Sequence, residues 1–262
     1  MSGQLAGRVA LVTGAGAGIG EGIARRFADE GAKVVVAELD SAAGQAVADA
    51  VGGVFVATDV SDRTQVENAV QTAVSEFGSI DIVVNNAWGG GEIGRVERKT
   101  DEQLAHGFAV GYYGPYWAMR AAFGHMKQNG WGRIVNMCSL NGVNAHMGSL
   151  EYNAAKEALR ALTRTAAREW APTGVTVNAI CPAAKSQAFF RAIGQYPELE
   201  AMADAANPMG RMGDPYDDIA PIAVFLASEA SRYLTGNTLF ADGGSHINGV
   251  AWAPDLDAAS DQ

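Results

Sequence analysis

Seven short runs of apolar and mostly β-branched residues recur along the chain: residues 8–13 (RVALVT), 33–38 (KVVVAE), 53–58 (GVFVAT), 81–85 (DIVVN), 133–137 (RIVNM), 175–180 (VTVNAI) and 238–241 (TLFA). Within each run the apolar residues do not simply alternate with polar ones. Both faces of these strands are therefore expected to be buried, as in a parallel sheet covered by helices on both sides. Helical spacing appears between them. Residues 20–30 carry Ile23, Ala24, Phe27 and Ala28, and 64–77 carry Val66, Ala69, Val70, Ala73, Val74 and Phe77. Residues 104–128 and 150–170 are the longest such segments, and 215–227 opens with Pro215 at a helix start. Strand alternating with helix over 1–262 predicts a single doubly wound α/β domain of about seven strands, with no linker and no internal repeat. The alternation lapses over 182–215, where Phe189, Phe190, Ile193, Met202, Met209 and Met212 suggest a mobile apolar cover. Residues 245–262 read as a C-terminal tail with a frayed end.

Composition narrows the function classes. Hydrophobic residues make up 48% of the 262, which excludes a disordered chain. The net charge of -10 argues against wrapping nucleic acid or docking on an anionic membrane. It leaves room for an anionic cofactor, which backbone N–H groups bind locally. The 32 glycines follow no Gly-X-Y period, so they imply close backbone approaches. Cys138 and Cys181 are the only cysteines and imply no disulfide framework, hence a reducing compartment. His106, His125, His146 and His246 lie far apart and far from both cysteines, so no metal site is expected. The opening MSGQLAGRVALVTG lacks a basic region followed by a long apolar stretch. No uncharged apolar run approaches the ~18 residues of a membrane span. A soluble cytoplasmic protein is the expectation.

Directly after the first strand the chain reads TGAGAGIG at 13–20, opening the first helix. Gly14, Gly18 and Gly20, with Ile19 between the last two, permit a sharp turn and the approach of a pyrophosphate to backbone N–H groups. The following helix start favours negative charge. Glu38 ends the second strand, 18 residues beyond Gly20, where an acid would bond a ribose 2′-OH and repel a 2′-phosphate. No Arg or Lys lies in the glycine-rich turn or at 39–41, so NAD is favoured over NADP. Asp40 competes for the role, and Glu38 read alone is also consistent with a solvated strand-end charge.

A second pattern lies on the long helix. Tyr152 and Lys156 are four residues apart and share one face. An ammonium beside a phenol, joined by an oxidised nicotinamide, would lower the phenol's pKa from about 10 and make Tyr152 a general base toward an alcohol. A surface pair with an amphipathic lysine is the alternative. Ser139 follows the strand that ends at 137–138, at the sheet edge where open α/β sheets place ligands. Its hydroxyl is suited to a substrate oxygen.

These residues, with Asp59-Val60, the NNA at 85–87, YNAAK at 152–156, VNAICP at 177–182 and the stretch 210–244, make the chain similar to the short-chain dehydrogenase/reductase family, in its branch of about 250 residues. The resemblance covers residues 9–244. It implies a Rossmann-type fold, NAD(P)-dependent oxidation of alcohols or reduction of ketones, and a homotetramer. It assigns Ser139 to orienting substrate, Tyr152 to acid/base work, and Lys156 to assisting Tyr152 and binding ribose. Asp59 and Val60 would flank adenine. Asn86 and Ala87 would line the cofactor cleft, with further contacts at Pro182 and Lys185.

Three positions depart from the family pattern. Gly111 stands where an Asn usually helps hold a water beside the lysine, and the space it leaves suggests room for another water. Trp88 replaces the Gly of NNAG, which implies either an indole in the substrate cavity or a loop re-routed through Gly89-Gly90-Gly91. Ala183 replaces the Gly after Pro182, and the threonine expected a few residues on is missing.

For the substrate, Asn144, His146 and Met147 lie in the loop joining Ser139 to Tyr152, and Trp88, Tyr112, Phe189, Phe190, Met209 and Met212 suggest an apolar cavity. Core packing is the common alternative for each apolar residue. The expectation is a bulky hydrophobic secondary alcohol or ketone, alicyclic or steroid-like. A 3-oxoacyl reductase on an acyl carrier fits less well, because the overall acidity repels an acidic carrier. A nicotinamide-binding regulatory or structural protein with weak turnover is the other alternative, motivated by Gly111 and Trp88.

Overall fold

The computed structural model of the chain describes residues 3–89, 91–186, 189–190 and 196–247. Ile193 and residues 248–262 of the expected tail lie outside them. Seven strands, β1 (Val9–Thr13), β2 (Lys33–Glu38), β3 (Val54–Ala57), β4 (Ile82–Asn85), β5 (Gly132–Met137), β6 (Val175–Pro182) and β7 (Thr238–Ala241), form one sheet. They pair in the order β3-β2-β1-β4-β5-β6-β7, and every pair is parallel. Thr13 pairs with Ala37, Asn85 with Asn136 and Met137 with Ile180. The carboxyl ends of the strands therefore share one edge. The chain reverses direction across the sheet between β1 and β4, which opens a crevice at that edge.

Two apolar layers cover the sheet. On one face Ile23, Ala24 and Phe27 of α1 (Gly18–Asp29), Val47 and Ala48 of α2 (Ser41–Val51), and the C-terminal helix pack on Ala10, Val12, Val36 and Val84. On the other, Val66, Ala69 and Val70 of α3 (Arg63–Phe77) join helix residues Met119, Ala122 and Ala166 on Leu11, Val35, Val83 and Ile134. Helices on both faces explain why each strand run is apolar on both sides.

The expected helix 104–128 is broken into three parts: α4 (Asp101–Phe108), a π-helical stretch (Ala109–Tyr113) and α5 (Gly114–Asn129). A capping box of Thr100 and Gln103 sets its start. At the far end of the π stretch, a Cβ on Gly114 would stand 2.6 Å from the Val60 carbonyl oxygen, so the chain passes close to that loop. The short α6 (Leu140–Val143) and the long α7 (Leu150–Trp170) follow. Within the stretch read as irregular lies α8 (Pro197–Ala206). The last segment divides into a π turn (Pro215–Ile219) and α9 (Ala220–Ala227). None of the described helices is long and apolar enough to cross a membrane.

Candidate active site

The glycine-rich turn is shaped by what it excludes. Gly14 and Gly18 are left-handed, with φ of 64° and 58°. A Cβ on Gly20 would fall 2.1 Å from the Gly14 carbonyl oxygen, and one on Gly14 would fall 2.7 Å from Ala87 Cα. Neither position admits a side chain. α1 starts from Ala17, extended and with no side-chain cap, whereas Asp40, Asp62 and Thr100 cap α2, α3 and α4. The first amides of α1 are thus available to an anion. Ile19 packs against the core, so it offers only its backbone there.

Of the two candidate acids, Glu38 reaches the turn. Its Oε2 accepts the Gly16 N–H at 2.9 Å, while Oε1 accepts the N–H groups of Leu39 and Asp40 at 2.9 and 3.1 Å. Asp40 is committed elsewhere: its carboxylate caps α2 through the N–H groups of Ala42 and Ala43. Across the crevice, Asn86 Nδ2 donates to the carbonyls of Thr13 and Gly14, each at 3.0 Å. The Thr13 hydroxyl accepts the N–H groups of Asn86 and Ala87. The ends of β1 and β4 are thereby tied together. The Asp59 carboxylate turns back onto Ser61, accepting its N–H and hydroxyl, and Val60 lies beside it, half-buried.

Ser139, Tyr152 and Lys156 converge at the ends of β5 and β6. Ser139 is buried and caps α6, its hydroxyl accepting the Asn141 N–H at 3.1 Å. It also acts on the Tyr152 phenol, favouring the ionised form. Lys156 is buried, and its Nζ donates to the Met137 carbonyl at 2.7 Å. The ammonium lies 5.7 Å from the centre of the Tyr152 ring, over the ring.

The expectation for Tyr152 joins two cations, the ammonium and an oxidised nicotinamide, and the structure bears on the first alone. In the protein alone, burial pushes the Tyr152 phenol above its ordinary value, and the Ser139 hydroxyl opposes it only in part. Burial likewise pushes the Lys156 ammonium below its own. Cys138 and Cys181, on adjacent strand ends beneath the site, are free thiols pushed up to about 12 by burial, which leaves them unreactive.

Trp88 enters this cluster. Its ring stands edge-on to Tyr152, with centroids 4.7 Å apart and planes at 76°. The Lys156 ammonium lies 5.6 Å from its centre. A Cβ on Gly111 would fall 2.8 Å from Trp88 Cζ3 and 2.8 Å from the Ala155 Cβ. The room expected beside Gly111 for an additional water is therefore taken by the indole.

Other expected positions are dispersed. Lys185 Nζ pairs with Glu200 and Asp204 of α8 at 2.7 and 2.8 Å. Pro182 closes β6, and Ala183 N–H bonds the Ala241 carbonyl. Asn144, His146 and Met147 are exposed, with His146 Nδ1 3.1 Å from the Ser149 hydroxyl. Phe189 is half-buried, edge-on to an exposed Phe190. Met202 and Met209 are exposed and Met212 is half-buried. Tyr112 is not brought to the cluster; it packs on Phe108 and Tyr113, beside Ala161 and Leu162 on the other side of α7.

Two contributors escaped the sequence reading. The Met137 carbonyl that holds Lys156 has no side-chain signature. The other is a buried ion pair, Lys99 Nζ to the Glu151 carboxylate at 2.8 Å, both side chains almost fully enclosed. Glu92 N–H and the Lys99 bond to the Glu92 carbonyl complete it, pinning the loop after Trp88 to the start of α7. Burial pulls the Glu151 carboxyl upward, but Lys99 and the backbone N–H groups outweigh it and hold it below the usual carboxylate range. A charge directly before Tyr152 is the one trace of it in the sequence, and its burial is visible only in the fold.

An uncapped helix start, a cradle that a Cβ would fill, and a carboxylate at the second strand end fit a dinucleotide with a free ribose 2′-OH. Gly14 to Gly20 would hold its pyrophosphate and Glu38 its ribose. A phenol, a hydroxyl and an ammonium at the same sheet edge are suited to exchanging a proton with a small-molecule oxygen. Among the described residues no group of His, Cys, Asp and Glu could hold a metal ion.

The family model described as enoyl-(acyl carrier protein) reductase matches residues 14–246. The chain is 36% identical to a 2,5-dichloro-2,5-cyclohexadiene-1,4-diol dehydrogenase of Sphingobium indicum, over 93% of this chain and 98% of that one. It is 34% identical to a 12alpha-hydroxysteroid dehydrogenase of Clostridium, over 91% and 96%. Among solved structures, a 3-ketoacyl-(acyl-carrier-protein) reductase of Brucella melitensis complexed with NADH superposes with a TM-score of 0.86 at 35% identity, covering 93% of this chain and 100% of that one.

Proposed function

The chain belongs to the short-chain dehydrogenase/reductase family, NAD(P)-dependent oxidoreductases acting on CH–OH groups, and from that premise we propose that it interconverts a bulky, mostly apolar secondary alcohol and its ketone with NAD. The observation that carries the reading is the convergence of Ser139, Tyr152 and the carbonyl-anchored Lys156 at the sheet edge that also carries the Gly14–Gly20 turn.

Tyr152 exchanges the proton. In oxidation its phenolate takes the alcohol proton, and in reduction its phenol returns one to the ketone oxygen. Ser139 donates to the same oxygen and fixes its position. Lys156 holds its ammonium over the ring, anchored by the Met137 carbonyl. When bound, NAD supplies the hydride acceptor and, in its oxidised form, the positive charge that lowers the phenol's pKa. Glu38 selects NAD, because its carboxylate repels a 2′-phosphate.

An alicyclic or steroid-like substrate is supported by the relatives named for a cyclic diol and a hydroxysteroid. It is supported too by the indole beside Tyr152 and by exposed Ile93 and Met147 on the loops that flank it. A 3-oxoacyl thioester is the second reading, favoured by the name of the Brucella structure and opposed by the net charge of -10. The assembly proposed is a cytoplasmic homotetramer.

The test follows reduced-cofactor absorbance with NAD and NADP against cyclic diols, hydroxysteroids and a 3-oxoacyl thioester. NAD-dependent turnover of the cyclic alcohols supports the proposal. Turnover of the thioester alone replaces it with the second reading. Cofactor binding without turnover of any substrate would make the chain a nicotinamide-binding regulator instead.

A further inference from the structure

Lys156 is a buried cation with little to balance it. Among the described residues its one hydrogen bond runs to the Met137 carbonyl, and no carboxylate forms an ion pair with it. The titratable groups facing it are the Cys138 and Cys181 thiols from the strand ends below, both neutral, and the Tyr152 phenol from its own helix. From the remaining side, among the described residues of the loop after β4, the Trp88 ring lies 5.6 Å from the ammonium. The π-helical stretch opposite supplies Gly111, which has no side chain. A ring face within about 6 Å of a desolvated ammonium attracts it through the ring's quadrupole.

Trp88 and Gly111 are sterically linked. A Cβ at 111 would meet Trp88 Cζ3 at 2.8 Å and Cε3 at 3.3 Å, and the Ala155 Cβ at 2.8 Å. The indole lies there because position 111 is bare. Its orientation is fixed by the T-shaped contact with Tyr152. Near its Cζ2, the Lys99–Glu151 pair anchors the loop, with the Gly91 position between them.

We propose that Trp88 is a positioning residue for the Tyr152–Lys156 pair, its indole occupying the volume left by Gly111 and presenting its ring to the Lys156 ammonium. The ring excludes water from that side and keeps Lys156 a cation where no carboxylate does so. It narrows the approach to Tyr152 at the same time. The proposal rests on the proposed role of Lys156, but its geometry is tested without turnover.

Two measurements on the full chain decide it. The first is the thermal midpoint, without cofactor, of G111A, W88G and the double variant. G111A is expected to cost several degrees in the parent and at most about half as many on the W88G background, the remainder belonging to Ala155. Equal costs in both backgrounds would overturn the shared volume. The second follows the 13Cε shift of Lys156 against pH in lysine-labelled protein, which has five lysines to assign. W88F, which keeps a ring, is expected to leave the Lys156 midpoint within about 0.3 pH unit of the parent. W88L, apolar but without a ring face, is expected to lower it by about 0.5 to 1 unit. An unchanged midpoint in W88L, or equal shifts in both variants, would remove the ring from any role toward the ammonium. A failure of the oxidoreductase reading would instead appear in the substrate panel, with these two results intact.

Discussion

The carboxylate of Glu38 accepts the N–H of Gly16 at 2.9 Å, across 22 positions of sequence. The end of β2 and the glycine-rich turn are therefore tied together, and the acid proposed to select the cofactor also shapes the turn. A Cβ on Gly16 would meet the Glu38 Cγ at 2.7 Å, so the two approach as closely as the backbone allows.

E38A tests both roles. Charge-assisted hydrogen bonds contribute ~1.5–3 kcal/mol, which predicts a loss of about 10- to 100-fold in the NAD over NADP preference, at 1.4 kcal/mol per factor of ten. The melting midpoint should fall too, because Gly16, Leu39 and Asp40 lose an acceptor. A preference unchanged from the parent would remove Glu38 as selector.

Y152F keeps the ring that packs on Trp88 and removes only the hydroxyl. General acid–base catalysis is worth ~10²–10⁴-fold, so kcat on the best substrate of the panel should fall by at least about a hundredfold. Cofactor affinity, followed by fluorescence titration, should stay within about threefold. Parent-like turnover would rule Tyr152 out as the acid/base.

N86A removes the amide that spans the Thr13 and Gly14 carbonyls. Leaving acceptors unpaired costs ~1–3 kcal/mol, to be read from urea unfolding. The slackened turn should raise KM for the cofactor more than it lowers kcat. The reverse pattern would place Asn86 in the chemistry rather than in the frame.

The buried pair makes stability depend on pH. The Glu151 carboxyl is held below its usual range in the folded chain. Its stabilising contribution is therefore complete above the ordinary carboxylate pKa and fades as pH falls through the depressed folded value. E151Q should melt below the parent at pH 7 and approach it in acid. K99M, which strands the carboxylate without its partner, should cost ~3–5 kcal/mol at pH 7. A melting difference between E151Q and the parent that stays constant from pH 7 to acid would remove Glu151 as the titrating group.

The strands were the most legible part of the fold. Residues 33–38 and 238–241 match β2 and β7 to the residue, and 150–170 matches α7. Apolar runs carry that signal without help from tertiary context, whether buried along the middle as in β2 or only half-buried as in β7. α2 did not emerge from periodicity, because only Gly44, Val47 and Ala48 of it are buried and its Ala/Gly surface leaves a faint stripe. Its Asp40 cap was present in the sequence but was weighed only as a cofactor acid. The break in 104–128 was hidden because the apolar spacing runs on through the π stretch, where Gly111 lies close against Trp88 and Ala155. Within the site, Ser139, Tyr152, Lys156, Glu38 and the glycines were readable from spacing. The Met137 carbonyl, the Lys99–Glu151 pair and the meeting of Trp88 with Gly111 join residues 19 to 52 positions apart, and only the folded chain brings them together.

The bare start of α1 has a consequence for the life of the molecule. With Ala17 offering its amides no side-chain acceptor, an occupant that accepts from them contributes to folding in proportion to the logarithm of its concentration. Resistance to heat and to proteases should thus rise and fall with the supply of dinucleotide.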